Sequence, residues 1–94
     1  MKKTEEKPVP NIVRVTWLDI VDDNEWQSKE KVDKSTPCTC VSVGFLYSRD
    51  KNTIKIVKTF ANDLREPYGD LLTIPMGCVK DVKVLTTKKL RRGK

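Results

Sequence analysis

Cysteines are the side chains in this sequence with the greatest potential for chemistry, because the chain contains three of them and no histidine. Cys38 and Cys40 lie two residues apart, which places both side chains on one face if the segment is a strand. A structural zinc site needs four nitrogen or sulfur ligands, and only Cys78 remains to join this pair. A cysteine nucleophile also needs a base, and the usual one is missing. The sequence predicts free thiols, with no metal, no cofactor and no enzyme activity.

Carboxylates offer the other route to acid–base chemistry, and they are concentrated in one segment that ends at Trp26. No neighbouring apolar sequence is present that would raise the pKa of a carboxyl group there. A calcium loop needs alternating oxygen ligands, a glycine turn and a final glutamate, and this spacing does not occur. The segment is interpreted as a solvated loop that carries Trp26 back onto the folded body. Its acidic residues are Asp19, Asp22, Asp23 and Glu25.

The net charge of +6 belongs to the two ends of the chain. Residues 8–87 carry as many acidic as basic side chains, so the central part is neutral. A basic tail attracts polyanions in a non-specific and salt-dependent way. Alternatively, the tail is a solvated terminus that favours solubility. The candidate polyanion-binding residues are Lys88, Lys89, Arg91 and Arg92.

Length and hydropathy indicate a single small domain outside the membrane. A chain of 94 residues supports one small core. No apolar run approaches the roughly 20 residues that cross a bilayer. The first residues have no hydrophobic segment behind their lysines, so no signal peptide is predicted, and the cytoplasm is the expected location. We expect a flexible arm at residues 1–11, a folded domain at residues 12–86 and a basic tail at residues 87–94.

Alternating apolar residues predict β-strands along most of the domain. At residues 12–18, Val13, Val15 and Trp17 share one face. In the longest run, Gly44 is interpreted as a bend that lets one strand serve two halves of a barrel. A further strand is predicted at residues 53–60. The longest run places on one face Thr39, Val41, Val43, Phe45 and Tyr47, and on the other Cys38, Cys40, Ser42, Gly44 and Leu46.

Turn signals divide these strands. Residues 28–34 are predicted to form a short helix with Ser28 as its N-cap. Residues 61–70 are predicted to form an irregular loop of a length that is often functional. Residues 72–85 are predicted to form a strand, one tight helical turn that begins at Pro75, and a closing strand. Gly77 would supply backbone freedom where the chain turns.

Several short motifs together resemble a class of small proteins common in bacteriophage genomes. The motifs are Val15-x-Trp17-x-Asp19, Ser42-Val43-Gly44-Phe45 and Ile74-Pro75-x-Gly77-x-Val79-Lys80. The ending with Ile-Pro, a turn and a strand is also similar to Src-homology-three-like and Sm-like small barrels. The resemblance implies an all-β, five-stranded Src-homology-three-like barrel with a one-turn 3-10 helix before the last strand. It implies a viral origin and no catalytic residues.

Two functions follow from this interpretation. The first is a non-enzymatic module that holds an anionic ligand, either a nucleotide or a nucleic acid, through aromatic stacking and basic side chains. For a phage protein, the resemblance sharpens this to sequestration of a nucleotide signal of host immunity, an anti-defence role. The alternative is a protein-interaction module that modulates a host protein, and a homo-oligomer is compatible with both. The candidate ligand-binding residues are Trp26, Arg49, Arg65 and Tyr68.

Overall fold

A computed structural model describes residues 10–61 and 64–86, and these residues form one antiparallel sheet of five strands. A short helix, α1, and a 3-10 turn complete the fold. The predicted all-β class is therefore confirmed. The elements are β1 (Ile12–Asp19), α1 (Lys29–Lys34), β2 (Cys38–Arg49), β3 (Thr53–Phe60), β4 (Tyr68–Pro75), the 3-10 turn (Met76–Cys78) and β5 (Val79–Val84). The strand order across the sheet is β4-β3-β2-β1-β5.

The core lies on one face of the sheet and joins strands that are not neighbours. Val13 and Val15 from β1 are fully buried, as are Ile54 from β3 and Ile74 from β4. A flat sheet with a bare face would leave such side chains in contact with water. The sheet therefore curls until β1 and β4 bring their inner faces against one core.

The connection from β4 to β5 requires the same curvature. These strands are at opposite edges of the sheet, which would lie about 19 Å apart across four flat strand spacings. The chain between Pro75 and Val79 can span at most about 14 Å even when fully extended. The two edges must consequently approach each other near the 3-10 turn. Met76 N also donates to Asn52 O at 2.8 Å, which ties this turn to the β2–β3 connection.

Closure of the predicted barrel is not found. Among the described residues, the strand pairs are β1–β2, β1–β5, β2–β3 and β3–β4, with no pairing between β4 and β5. The five strands thus form an open, strongly curled sheet. The Src-homology-three-like assignment stays a prediction. The curvature encloses the small core even though no backbone hydrogen bonds join β4 to β5 among the described residues.

The two faces of β2 are distributed in an unusual way, because the more apolar face is the outer one. Val41, Val43 and Tyr47 are exposed, whereas Gly44 is buried. Ser42 accepts a hydrogen bond from Trp17 Nε1 at 3.0 Å, which places Ser42 on the inner side. Small inward residues on β2 leave room for the large side chains of β1 and β3. The backbones of β2 and β3 come closest at Gly44, where an added Cβ would lie 2.9 Å from Val57 O.

The bend predicted at Gly44 agrees with the pairing of β2. Its first part pairs with β1, from Asp19↔Cys38 to Ile12↔Phe45, and its last part pairs with β3 from Phe45 onward. One strand thus serves two parts of the sheet, and the change of partner falls next to Gly44. A register shift between Leu46 and Ser48 adds further twist.

Three local predictions need correction. The irregular loop is shorter than predicted, because β4 begins at Tyr68 and pairs there with Phe60. Asp70 adopts a left-handed backbone at φ 58°, which disguises the start of the strand in the sequence. Pro75 precedes the 3-10 turn as its N-cap with φ −63°, instead of occupying its first position. Gly77 has no positive φ and open space around its Cβ position, so the turn does not require glycine.

The predicted short helix is present as α1, with Ser28 Oγ accepting from Lys31 N at 3.1 Å. Two ion pairs at i,i+4 spacing, Lys29–Asp33 and Lys34–Glu30, lie along it. None of its residues is buried. The helix is therefore an external feature of the β1–β2 connection and adds nothing to the core.

Candidate functional site: an aromatic cluster and its adjoining depression

Four aromatic side chains from three neighbouring strands form what we call the aromatic cluster: Phe45, Tyr47, Phe60 and Tyr68. Phe45 and Phe60 pack edge to face with ring centroids 5.0 Å apart. Tyr47 and Tyr68 do the same, also at 5.0 Å. Both phenylalanines are half-buried, whereas Tyr47 is 54% and Tyr68 52% exposed. The tyrosine pair is therefore more accessible to solvent than the phenylalanine pair.

Strand pairing explains how residues distant in sequence meet here. Phe60 and Tyr68 are register partners across β3 and β4, and Phe45 is the register partner of Val57. Tyr47 lies in the register shift of β2, which changes the direction of its side chain. Val57 is only 3% exposed although it lies opposite the inner-facing Ile54 and Ile56 in the alternation of β3. The side chains around it thus cover part of the outer face.

An open depression of about 270 Å³ adjoins the cluster. Its walls are apolar except for Lys58, which is an exposed residue. Both ion pairs in the described residues lie in α1, so Lys58 has no carboxylate partner there. An unpaired cation beside an apolar, partly aromatic wall attracts an anion that also carries an apolar or aromatic group. The lining residues are Ile12, Val43, Gly44, Phe45 and Lys58.

The end of the described chain lies beside this depression. Ile12 N donates to Thr86 Oγ1 at 3.1 Å, and Leu85 N donates to Ile12 O at 2.7 Å. Ile12 is itself a wall of the depression. Thr86, the last described residue, therefore contacts a wall of the depression. The predicted tail residues Lys88, Lys89, Arg91 and Arg92 lie outside the described residues.

The other predicted ligand-binding residues do not converge. Trp26 is 99% exposed in the β1–α1 connection, so its predicted return onto the folded body is wrong. Arg49 pairs with Ile54 at one end of β3, whereas Tyr68 pairs with Phe60 about 20 Å away along that strand. Arg65 is exposed in the loop before Tyr68, which Ala61 N closes by donating to Pro67 O at 2.8 Å. Of the four predicted residues, only Tyr68 is part of the aromatic cluster, although Arg49 follows Tyr47 by two residues on β2.

Sequence reasoning missed Phe45, Tyr47, Phe60 and Lys58 as surface residues. Alternation assigned Phe45 and Tyr47 to one face of β2 but did not say which face is inside. The available signal was the opposite face, where serine, glycine and cysteine leave room for Trp17. A strand whose small side faces the core exposes its large side.

A second group of side chains lies at the start of β2, where Cys38 Sγ and Cys40 Sγ are 3.9 Å apart. All three cysteines are free thiols. Partial burial raises the pKa of the Cys40 thiol, and the neighbouring Cys38 raises it further. No group of three or more His, Cys, Asp or Glu side chains in the described ranges is arranged to hold a metal ion.

Comparisons with known proteins give no assignment for this surface. No protein-family model, curated protein or solved structure matches the chain significantly. Within the described part of the chain, no helix has the length and apolar character that crossing a bilayer requires. Functional inference therefore depends on the geometry of the surface itself.

Proposed function

We propose that this protein is a non-enzymatic binding module for an anionic ligand that carries an aromatic base, either a nucleotide or a single-stranded nucleic acid. The single observation that carries the proposal is the aromatic cluster beside Lys58, which forms no ion pair with the other described residues. Exposed rings stack on bases with little regard to sequence, at about 1–3 kcal/mol per base. The ammonium group of Lys58, which lines the depression together with Phe45, offers a charge-assisted contact for phosphate.

The size of the depression decides how such a ligand would bind. Closed pockets for small molecules usually have volumes of about 300–1,000 Å³. A depression of about 270 Å³ with an open mouth is too small to enclose a nucleotide. The ligand would therefore lie across the surface, with its base on Tyr47 or Tyr68 and its phosphate near Lys58. Sequestration of a nucleotide signal of host immunity is the sharper form of this proposal, and it derives from the phage-type resemblance.

Binding of a fluorescein-labelled oligothymidylate and of adenosine nucleotides, measured by anisotropy and calorimetry, tests the proposal. Loss of one stacking ring in Tyr68→Ala should weaken binding about tenfold. Lys58→Ala should also weaken binding and lower its dependence on salt. Lys51→Ala is the matched control, because Lys51 is also exposed but lies in the β2–β3 turn. Equal losses in Lys51→Ala and Lys58→Ala would refute a specific role for the depression.

The tail supplies a separate measurement. Removal of residues 87–94 should lower affinity for the oligonucleotide and flatten the dependence of affinity on salt concentration, because five positive charges are lost. Stacking on the tyrosines should survive this truncation. If the truncated chain retains the full salt dependence, the tail takes no part in binding.

A second candidate function, docking onto another protein, is favoured by a different observation. Val41, Val43 and Leu71 expose an apolar surface on the outer face, next to the tyrosines. Such a surface is typical of interaction sites on small proteins. Purification from the native host distinguishes the two functions. A co-eluting nucleotide, seen by absorbance and mass spectrometry, supports the first, whereas a stoichiometric protein with no nucleotide supports the second.

A further inference from the structure

Cys38 and Cys40 form a pair that the proposed binding surface does not use. Both side chains project from the start of β2, and their sulfur atoms are 3.9 Å apart. Cys38 is exposed and Cys40 is half-buried, so reagents in solution can reach the pair. In the ladder, Asp19 is the register partner of Cys38 and Trp17 is the register partner of Cys40.

The sulfur–sulfur distance discriminates between two kinds of dithiol chemistry. A disulfide needs about 2.05 Å between the sulfurs and about 3.8 Å between the Cβ atoms. Two side chains on the same face of an extended strand leave it about 6.6 Å apart, well beyond the separation of Cβ atoms in a disulfide, so a disulfide would require the start of β2 to bend. A metal ion about 2.3 Å from each thiolate would instead see the sulfurs, at 3.9 Å from each other, under an angle of about 116°. This angle lies between the roughly 109° of a tetrahedral site and the roughly 120° of a trigonal one, so the two thiolates can share a metal ion without movement of the strand.

Ligand number then selects the metal. A structural Zn²⁺ ion takes four protein ligands, and the described residues supply only this pair. Soft thiolates also bind Cu(I), a monovalent d¹⁰ ion that is stable with two or three sulfur ligands. The Asp19 carboxylate, on the adjacent strand, adds negative charge that attracts a cation to this end of the sheet. The same charge helps to raise the pKa of the Cys40 thiol, so a bound metal ion has to displace a proton from it.

We propose that Cys38 and Cys40 form a surface dithiolate site for Cu(I), with a third coordination position open to an external thiol. One Cu(I) ion replaces two thiol protons, which are released to solvent, and no electron is transferred. This site lies at the start of β2, at a distance from the aromatic cluster, and does not depend on ligand binding there.

Competition with a chromophoric Cu(I) complex of bicinchoninate, under anaerobic conditions, tests the site. The wild-type chain should remove one Cu(I) ion per chain from the probe, and Cys38→Ser and Cys40→Ser should each lower the affinity by at least tenfold. Cys78→Ser is the matched control and should bind as the wild type does. Circular dichroism of each variant shows whether the sheet is intact, and the Cys38 side chain is exposed and takes no part in the core.

A second readout does not depend on the competing probe. Trp17 lies opposite Cys40, so Cu(I) at the pair should quench its fluorescence in a Trp26→Phe variant, which leaves Trp17 as the sole tryptophan. If Cu(I) quenches Trp17 fluorescence equally in the Cys40→Ser variant, the assignment is overturned. Equal affinity for Zn²⁺, equal losses in Cys78→Ser, or a product two mass units lighter than the thiol form would also overturn it, the last by showing a disulfide.

Discussion

Ser42 has an unusual role for a small polar residue, because its hydroxyl is the hydrogen-bond partner of the Trp17 indole across β1 and β2. Ser42→Ala leaves the half-buried Nε1–H without that acceptor, which should lower the free energy of unfolding by about 1 kcal/mol. Urea denaturation followed by tryptophan fluorescence measures the change. Ser48→Ala, at a half-buried site on the same strand, should have little effect. An equal loss in both variants would mean that strand propensity, and not the indole contact, is responsible.

Asp50 stabilises the β2–β3 turn through its carboxylate. Its Oδ1 accepts from Asn52 N at 2.8 Å and from Thr53 N at 2.9 Å. The hydrogen bonds that this carboxylate accepts, chiefly from Thr53 N and secondly from Asn52 N, lower its pKa below the ordinary value of 3.8. Because the folded-state pKa is depressed, the resulting stability is present above the unfolded-state value and disappears as pH falls through the folded-state pKa.

Asp50→Asn should therefore unfold at a lower urea concentration than the wild type at neutral pH. The difference should shrink as the pH falls below 3.8, where the wild-type carboxylate also becomes neutral. Urea midpoints at a series of pH values measure this convergence. A constant difference across the series would contradict the assignment of the effect to the charge of Asp50.

At the scale of elements, Gly44 in β2 has no room for a side chain, whereas Gly77 in the 3-10 turn does. A Cβ at Gly44 would lie 2.9 Å from Val57 O and 3.4 Å from Ile56 Cβ, so β3 would have to move. Gly44→Ala should cost about 1–3 kcal/mol. Gly77 has open space and no left-handed backbone, so Gly77→Ala should be neutral or stabilising by up to about 1 kcal/mol.

Thermal and urea unfolding of the two alanine variants test this contrast. Gly44→Ser provides a check on size, since it adds one more atom at the same place and should destabilise at least as much as alanine. Tolerance of alanine at both positions would show that β2 and β3 do not approach as closely as the structure indicates.

The sequence predicts where most strands lie better than it predicts how they pair and where the loops run. Alternation located β1, β2 and β3, because a strand half in contact with a core repeats every second residue. The start of β4 was missed, because Gly69 and the left-handed Asp70 interrupt that repeat and pairing with β3 supplies the order instead. The acidic segment predicts a solvated loop that carries Trp26 back onto the folded body, and only the three-dimensional path of the β1–β2 connection shows that Trp26 stays exposed.

For the whole molecule, curvature decides which face of each strand is inside, and local sequence does not encode it directly. Of the candidate site, Tyr68 was identified from the sequence, whereas its partner Tyr47 was not. The surface exists because β2 turns its small residues toward a narrow interior, which is a property of the complete sheet. The alternating pattern predicts that a face of a strand is apolar. Whether that face points into the core depends on how much space the curled sheet leaves inside.

This distribution of faces can be tested with two apolar residues on neighbouring strands. Ile54 is fully buried in the core, so Ile54→Ala should lower the free energy of unfolding by about 2–5 kcal/mol. Val43, from the outer face of β2, is 45% exposed, and Val43→Thr should change the free energy by less than about 0.5 kcal/mol. Urea denaturation at several protein concentrations measures both values. A large cost for Val43→Thr that grows with protein concentration would show that a second copy covers the outer face, and a large cost independent of concentration would contradict the exposed position of Val43.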